Sequence, residues 1–159
     1  MSWQSDMVLI VRAIINDMDI PYTYSDSKLE QLIVTSAQLL KREVDFEYTY
    51  TIDIEAVSIS PDPLSSSDDG FINIVSLKTA CLVLGGEVKV AAANNFKVTD
   101  GGATIDSSVG YYAKKGLYDQ LCEDLANAKI AYVMGNVNTI KAIPTPYTVN
   151  YGNTGFTFG

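Results

Sequence analysis

The chain has 159 residues, the size of one domain, and its hydrophobic fraction of 47 % is enough to fill a core, so the composition excludes wholesale disorder. Its net charge of −8 excludes a protein that grips DNA by charge, because such proteins use cations to replace the counterions of the phosphates. The chain has no histidine, the commonest general base and metal ligand, and this argues against an enzyme.

The first two predicted elements are amphipathic helices. Apolar residues recur at spacings of three and four over residues 2–18, which predicts a helix that stops before Pro21. A second helix is predicted at residues 25–46, with a capping box that begins at Ser27 and with Ser25 as the alternative cap. The loop between the two helices is short, so we expect them to pack as an antiparallel pair.

Residues 47–60 change from the helical period to an alternation of apolar and polar residues. This pattern predicts one long strand or an arm-like ribbon, with a bulge or bend near Ala56. A lone strand leaves its backbone edges unpaired, so the ribbon must pair with another part of the chain or with another copy. The residues predicted to lie at a contact between subunits are Tyr48, Tyr50, Ile52 and Ile54.

Two further helices are predicted after a loop at residues 61–70. The helix at residues 71–93 is apolar nearly all round, which is typical of the centre of a bundle, and Gly85-Gly86 would mark a kink or a close helix crossing. Residues 94–108 are predicted to form a loop, and a last helix is predicted from residue 107 or 108 to about residue 134, with Gly135 as its stop. The apolar face of this last helix is predicted to consist of Tyr111, Leu117, Tyr118, Leu121, Cys122, Leu125, Ala128 and Tyr132.

The composition changes after the last helix. Residues 136–159 carry a single charge, at Lys141, and are rich in Thr, Asn, Gly, Pro and aromatic residues, which is not the composition of a soluble linker. The segment is predicted to be an extended arm that docks on another subunit by strand-like hydrogen bonds; the alternative is an unanchored terminus. The arm residues predicted to contact the partner are Ile143, Pro144, Pro146, Tyr147, Val149, Tyr151, Phe156 and Phe158.

The predicted fold is therefore mainly α. Residues 1–135 are expected to form a four-helix bundle with one long strand or β-ribbon inserted at about residues 47–60, and residues 136–159 an extended C-terminal docking arm.

Motifs that carry chemistry are missing from the sequence. It has no phosphate-binding glycine motif, no C-x-x-C and no H-E-x-x-H, and residues 100–106 match a calcium loop only in part. Cys81 and Cys122 each lie in an apolar helical pattern, which favours core packing in a reducing compartment. A disulfide between them is the alternative. The first residues are read neither as a signal peptide nor as a membrane span. We therefore expect no catalytic residue, cofactor, metal site or membrane contact.

The order of the predicted elements resembles that of a known protein family. A first helix leads to YSDSKLEQLI at residues 24–33 and AQLL at residues 37–40, an acidic loop with prolines precedes the third helix, and DGGATID at residues 100–106 precedes the last one. Over about residues 3–135 this order resembles the head–tail connector (adaptor, or neck) proteins of tailed bacteriophages.

The resemblance implies a virion protein, assembled in the host cytoplasm, that forms a homo-oligomeric ring of commonly twelve copies beneath the portal protein. The ring would extend the DNA channel, let genomic DNA pass without specific binding and offer a platform for the next neck or tail protein. The acidic balance agrees with this role, because it would repel DNA rather than hold it. The arm residues would then contact the portal protein or a neighbouring subunit.

Two other functions are consistent with the sequence. One is a generic helical adaptor that binds protein partners through its C-terminal tail, with a peptide-like partner and no ring. The other is a carboxylate-based enzyme or small-ligand binder, which requires a deep pocket with perturbed carboxylates.

Overall fold

The computed structural model describes residues 2–94, 97–100, 103–106 and 108–136. Within these ranges the chain is mainly helical, as predicted, with two short hairpins between the helices. The elements in chain order are α1 (Trp3–Ile15), α2 (Asp26–Leu40), β1 (Thr51–Asp53), β2 (Ser58–Ser60), α3 (Asp69–Ala93), β3 (Lys97–Asp100), β4 (Ala103–Asp106) and α4 (Ser108–Asn136).

Helix α3 lies at the centre, where α1, α2 and α4 all pack against it. Its apolar residues surround the helix axis, so one neighbour alone cannot cover them. The helix runs through Gly85-Gly86 without a break, and the ring of Tyr118 in α4 lies directly over Gly85. Gly85 therefore marks the close crossing of α3 and α4, one of the two predicted alternatives, whereas Gly86 faces open space. The buried residues of α3 are Phe71, Ile72, Ile74, Val75, Ser76, Thr79, Ala80, Cys81 and Val83.

By length and composition alone, α3 is also the one helix of the described ranges that could cross a membrane. Half of its most apolar stretch is buried inside this structure, and core helices commonly pass the same test.

The boundaries of α1 and α2 differ from the predicted ones. α1 ends at Ile15 rather than residue 18, because Asn16 adopts the left-handed conformation with φ of 56°. Ser25, the alternative cap, is the N-cap of α2: its hydroxyl accepts a hydrogen bond from the backbone N–H of Lys28 at 3.4 Å. α2 ends at Leu40 rather than residue 46, because the chain turns over residues 41–43 and then buries Val44 in the core.

A buried guanidinium connects α1, the loop after it and the start of α2. The side chain of Arg12 is 3 % exposed and donates to the Asp17 carboxylate at 2.7 Å, to the Tyr24 carbonyl at 2.7 Å and to the Asp26 carboxylate at 2.6 Å. Asp17 in turn accepts the backbone N–H groups of Thr23 at 2.8 Å and Tyr24 at 3.2 Å. A buried charge requires such partners, so this network holds the loop in one conformation.

The segment predicted as one long strand or a β-ribbon is a hairpin of two short strands, so of the two alternatives the single strand is wrong. Strands β1 and β2 pair with each other in antiparallel register, with Ile52 opposite Ile59. The chain reverses between them because the Asp53 carboxylate accepts the N–H groups of Glu55 and Ala56 at 3.0 and 2.9 Å, and Val57 takes a left-handed φ of 49°. The bend expected near Ala56 is this full reversal.

The loop predicted at residues 94–108 contains a second hairpin, so that prediction is also wrong. Strands β3 and β4 are antiparallel, with Val98 opposite Ile105 and Thr99 opposite Thr104. The β-branched residues at these positions, on both sides of an Asp-Gly turn signal, are the signal that the loop interpretation passed over.

An aromatic cluster joins the first hairpin region to α3 and α4. The ring centroid of Phe71 lies 4.9 Å from that of Phe46 and 4.0 Å from that of Tyr50. The ring of Tyr132 lies 5.6 Å from that of Phe46, and its hydroxyl accepts the backbone N–H of Glu47 at 2.8 Å. These contacts tie the segment between α2 and β1 to both long helices.

Asp68 caps the N-terminus of α3 and serves the same cluster. Its carboxylate accepts the backbone N–H of Phe71 at 2.9 Å and the hydroxyl of Tyr50 at 2.9 Å. At Gly70, in the first turn of α3, the ring of Tyr132 occupies the space that a Cβ atom would need. Only glycine fits at this position, because the Tyr132 ring lies so close to the backbone of α3.

Gly70→Ala is expected to lower the free energy of unfolding by about 1–3 kcal/mol, because the Tyr132 ring must move away from the new methyl group. The matched control is Gly86→Ala, which adds its methyl group to open space in the same helix and is expected to raise stability by about 0.5–1 kcal/mol. Urea unfolding followed by circular dichroism measures both. An equal gain in the two variants would contradict the packing of Tyr132 on Gly70.

Arg12→Met is expected to lower the free energy of unfolding by about 3–5 kcal/mol, because it leaves the buried Asp17 carboxylate without its cation. Arg42→Met, on the exposed turn after α2, is the control and should change stability by less than about 0.5 kcal/mol. The same urea titrations measure both variants, and similar losses would show that the Arg12 network does not stabilise the corner.

The Asp17 carboxylate also predicts a pH dependence. Burial raises its pKa, but the hydrogen bonds from Thr23 and Tyr24 and the charge of Arg12 outweigh burial and lower the pKa below the ordinary 3.8. Its contribution to stability is therefore present above pH 3.8 and is lost as the pH falls through the lowered pKa of the folded state. Asp17→Asn should flatten this acid limb of the stability profile; an unchanged limb would contradict the assignment.

Candidate interaction surfaces

The long helix α4 is the most exposed of the four helices, judged by its described side chains. It has 29 residues and a length of about 43 Å, yet Leu125 is the only buried side chain among residues 110–135, those described for α4. A narrow stripe beside Leu125 is half-buried against α3, formed by Tyr118, Leu121, Cys122, Ala128 and Tyr132. The described residues therefore leave most of the circumference of α4 uncovered.

Several large apolar side chains lie on the exposed part of α4. Leu117 was predicted to face inward, but it is 60 % exposed, because it lies at the edge of the half-buried stripe. Ile130, Val133 and Met134 are also more than half exposed, and Met134 reaches 70 %. Contiguous exposed apolar surface commonly marks an interaction site.

The first of two apolar grooves, here called the α1–α4 groove, lies where α1, α3 and α4 meet. It encloses about 470 Å³. Gln120 and Asp124 of α4 also line the groove and add polar groups to it. Its apolar lining consists of Ile14, Ile15, Leu77, Leu84, Leu117 and Leu121.

The second groove, here called the α2–α4 groove, lies between the turn after α2 and the end of α4. It encloses about 290 Å³ and is lined by Val44, Ile130, Val133 and Met134. Its remaining lining residues, Glu43 and Lys129, form an ion pair at 2.9 Å, and Lys78 lies 3.5 Å from the same carboxylate. The hydrogen bond from Lys129 lowers the pKa of Glu43, so the carboxylate stays ionised and paired at neutral pH.

A third pocket, between α2, α3 and α4, contains a carboxylate that accepts two hydrogen bonds from its own chain. Glu87 accepts a hydrogen bond from Lys114 Nζ at 2.9 Å and one from the Tyr24 hydroxyl at 2.7 Å. The bond from Lys114 is the largest cause of the lowered pKa of Glu87, while burial and Glu87 raise the pKa of Tyr24. An ionised, paired carboxylate of this kind has the chemistry of a structural ion pair rather than of a general acid.

The residues predicted to lie at a contact between subunits have different surroundings. Tyr50 is 2 % exposed and bonded to Asp68, and Ile52 is half-buried against the core, so both pack inside their own chain. Tyr48 and Ile54 are exposed. A role for these two residues between subunits stays a prediction.

The predicted arm lies almost wholly outside the described residues, which end at Asn136. All of its predicted contact residues are in that part: Ile143, Pro144, Pro146, Tyr147, Val149, Tyr151, Phe156 and Phe158. Their contact with the portal protein or with a neighbouring subunit therefore stays a prediction.

The two cysteines meet across the α3–α4 contact, as the pairing that the sequence left open requires. Cys81 and Cys122 are free thiols with their Sγ atoms 3.2 Å apart, and burial raises the pKa of Cys81 to about 12. Within the described ranges, no group of three or more Cys, Asp or Glu side chains could hold a metal ion. The pair is 41 residues apart in sequence, so only the packing of the two helices brings it together.

No protein-family model, curated protein or solved structure matches the chain. The surfaces described above, together with the order of elements in the sequence, are therefore the basis of the functional proposal.

Proposed function

We propose that this chain is a structural virion protein, a subunit of a head–tail connector ring beneath the portal of a tailed bacteriophage, and not an enzyme. The observation that carries the proposal is the exposure of α4, a 29-residue helix with one buried residue among its described side chains and an apolar groove on two sides. Neighbouring subunits would cover these grooves in an assembly.

The position of the two grooves favours a ring over a simple dimer. The α1–α4 groove contains Leu117 and the α2–α4 groove contains Ile130, which are separated along the axis of α4 by about 20 Å. A two-fold dimer needs one self-complementary surface, whereas a head-to-tail contact needs two different surfaces on each copy. Head-to-tail contacts close into rings when the rotation between copies permits it.

The remaining parts of the proposal are supported by the sequence resemblance. The four helices would form the helical bundle of the ring wall, and the C-terminal segment would dock on the portal or on a neighbour. The resemblance to connector proteins implies a ring of twelve copies that assembles in the host cytoplasm. It also implies that the next neck or tail protein is a partner. The net charge of −8 supports a channel that lets genomic DNA pass without binding it. The proposed role requires no cofactor.

A generic helical adaptor is the second candidate. It is favoured by the volume of the α1–α4 groove, about 470 Å³, which lies in the range of grooves that take a small ligand or a short apolar segment. An adaptor of this kind predicts a defined partner and no ring.

The two candidates are separated by mixing the purified chain with portal rings from the same source and imaging the product by electron microscopy. A stacked ring of added copies supports the connector proposal. A well-folded chain that does not bind the portal contradicts it and favours the adaptor.

Leu117→Asp is expected to weaken binding to portal rings, or self-association, by about tenfold or more, because it places a charge in the α1–α4 groove. Its unfolding curve should be close to that of the wild type, since the side chain is largely exposed. Asn127→Asp, at an exposed polar position of the same helix, is the matched control. Sedimentation velocity measures the association, and wild-type behaviour of Leu117→Asp would exclude this groove from the interface.

A further inference from the structure

We propose that the α2–α4 groove receives the C-terminal segment, residues 137–159, of a neighbouring copy of this chain. The inference rests on the ring assembly proposed above and names the contact that links one subunit to the next. It is independent of the portal and of the number of copies.

The groove presents apolar surface that its own helices leave uncovered. Val44 forms its buried floor, while Ile130, Val133 and Met134 stand on the outer side of α4 with more than half of their surfaces exposed. Methionine has three rotatable bonds and adapts to irregular partners. The surface therefore suits a segment that supplies aromatic and branched side chains.

The charges beside the groove favour an uncharged partner. Glu43 is paired with Lys129 at 2.9 Å and with Lys78 at 3.5 Å, so its charge is already compensated within the chain. A charged segment would have to give up its hydration without gaining a partner, which an uncharged one avoids. Residues 137–159 carry one charge, at Lys141.

The sequence of the segment fits an extended ligand. Ile143, Tyr147, Val149 and Tyr151 all fall on alternate positions, which an extended backbone places on one face. Pro144 and Pro146 remove two backbone donors and disfavour a helix. The side chains on that one face would therefore provide most of the binding.

The place where α4 ends favours a neighbouring copy over the same chain. The apolar residues that α4 contributes to the groove, Ile130, Val133 and Met134, lie in the last two turns of this helix, which ends at Asn136. The segment therefore begins at the edge of its own groove and would have to reverse at once to fill it. Fully extended, residues 137–159 span up to about 75 Å. A domain of this size has a radius of gyration of about 14 Å, so the segment can cross a neighbour. In a ring every copy then gives one segment and receives one.

The test uses full-length variants that each lose one half of the contact. Val133→Asp or Met134→Asp damages the groove and leaves the segment intact, whereas the double variant Tyr147→Asp, Val149→Asp damages the segment and leaves the groove intact. Ile20→Asp, at an 83 % exposed isoleucine in the α1–α2 loop, is the matched control. Circular dichroism and urea unfolding select the groove variant that folds like the wild type.

The expected result is complementation. Wild type and Ile20→Asp self-associate, each of the two damaged variants alone loses about tenfold or more of its self-association, and an equimolar mixture forms 1:1 pairs by sedimentation velocity. The mixture retains one intact groove and one intact segment, so association stops at the pair.

Other outcomes overturn the inference. Damaged variants that remain monomeric when mixed would show that the segment does not bind a neighbour's groove. Variants that self-associate like the wild type would exclude this contact and leave the ring proposal to the α1–α4 groove and the portal experiment. A wild-type chain that stays monomeric at its highest soluble concentration also overturns this contact, whereas portal binding would still decide the proposed function.

Discussion

Helix α3 is apolar nearly all round, and this is the constraint on which the rest of the structure depends. A helix with buried residues on all sides needs neighbours on all sides, and α1, α2 and α4 take these places. The burial is not even along its length, however: the first half of α3 lies in the core, while Val90 in the last turns is exposed. Three helices therefore pack around α3, and of these α4 contacts it through only a narrow stripe of its own side chains.

Two buried polar clusters position the elements around this centre. The Arg12 network fixes the corner between α1 and α2, and the Asp68 cap fixes the start of α3 against Tyr50 and the first hairpin region. Each charged or hydroxyl group in these clusters is engaged by another part of the chain, which is the arrangement that makes burial of polar groups tolerable. We interpret them as the groups that give the fold its geometry, which in turn sets the two grooves along α4.

The two proposals assign different partners to the two sides of α4. The described residues of a single copy leave both grooves open, and residues 137–159 carry only one charge, at Lys141. In the proposed assembly the α2–α4 groove and that segment complete each other between neighbouring copies, while the α1–α4 groove remains for a second contact or for the next ring. Such an assembly would account for the length of α4, for its low burial and for the exposed apolar residues at two separate places along it.

The sequence by itself determined which segments form helices, because the signals for them are local. These signals are the spacing of apolar residues in α1 and α2, the apolar run of α3 and the glycines on either side of α4. The sequence predicted extended structure with a bend at residues 47–60, but not the full reversal that Asp53 and Val57 produce there. It missed the second hairpin, whose short strands have a pattern that resembles a loop. Only the tertiary structure decided that Tyr50 is a core residue, that Leu117 is exposed and that Cys81 meets Cys122. The physical reason is that a helix pattern specifies which residues are apolar, whereas the rotation and crossing of packed helices decide which of those apolar residues the core can reach.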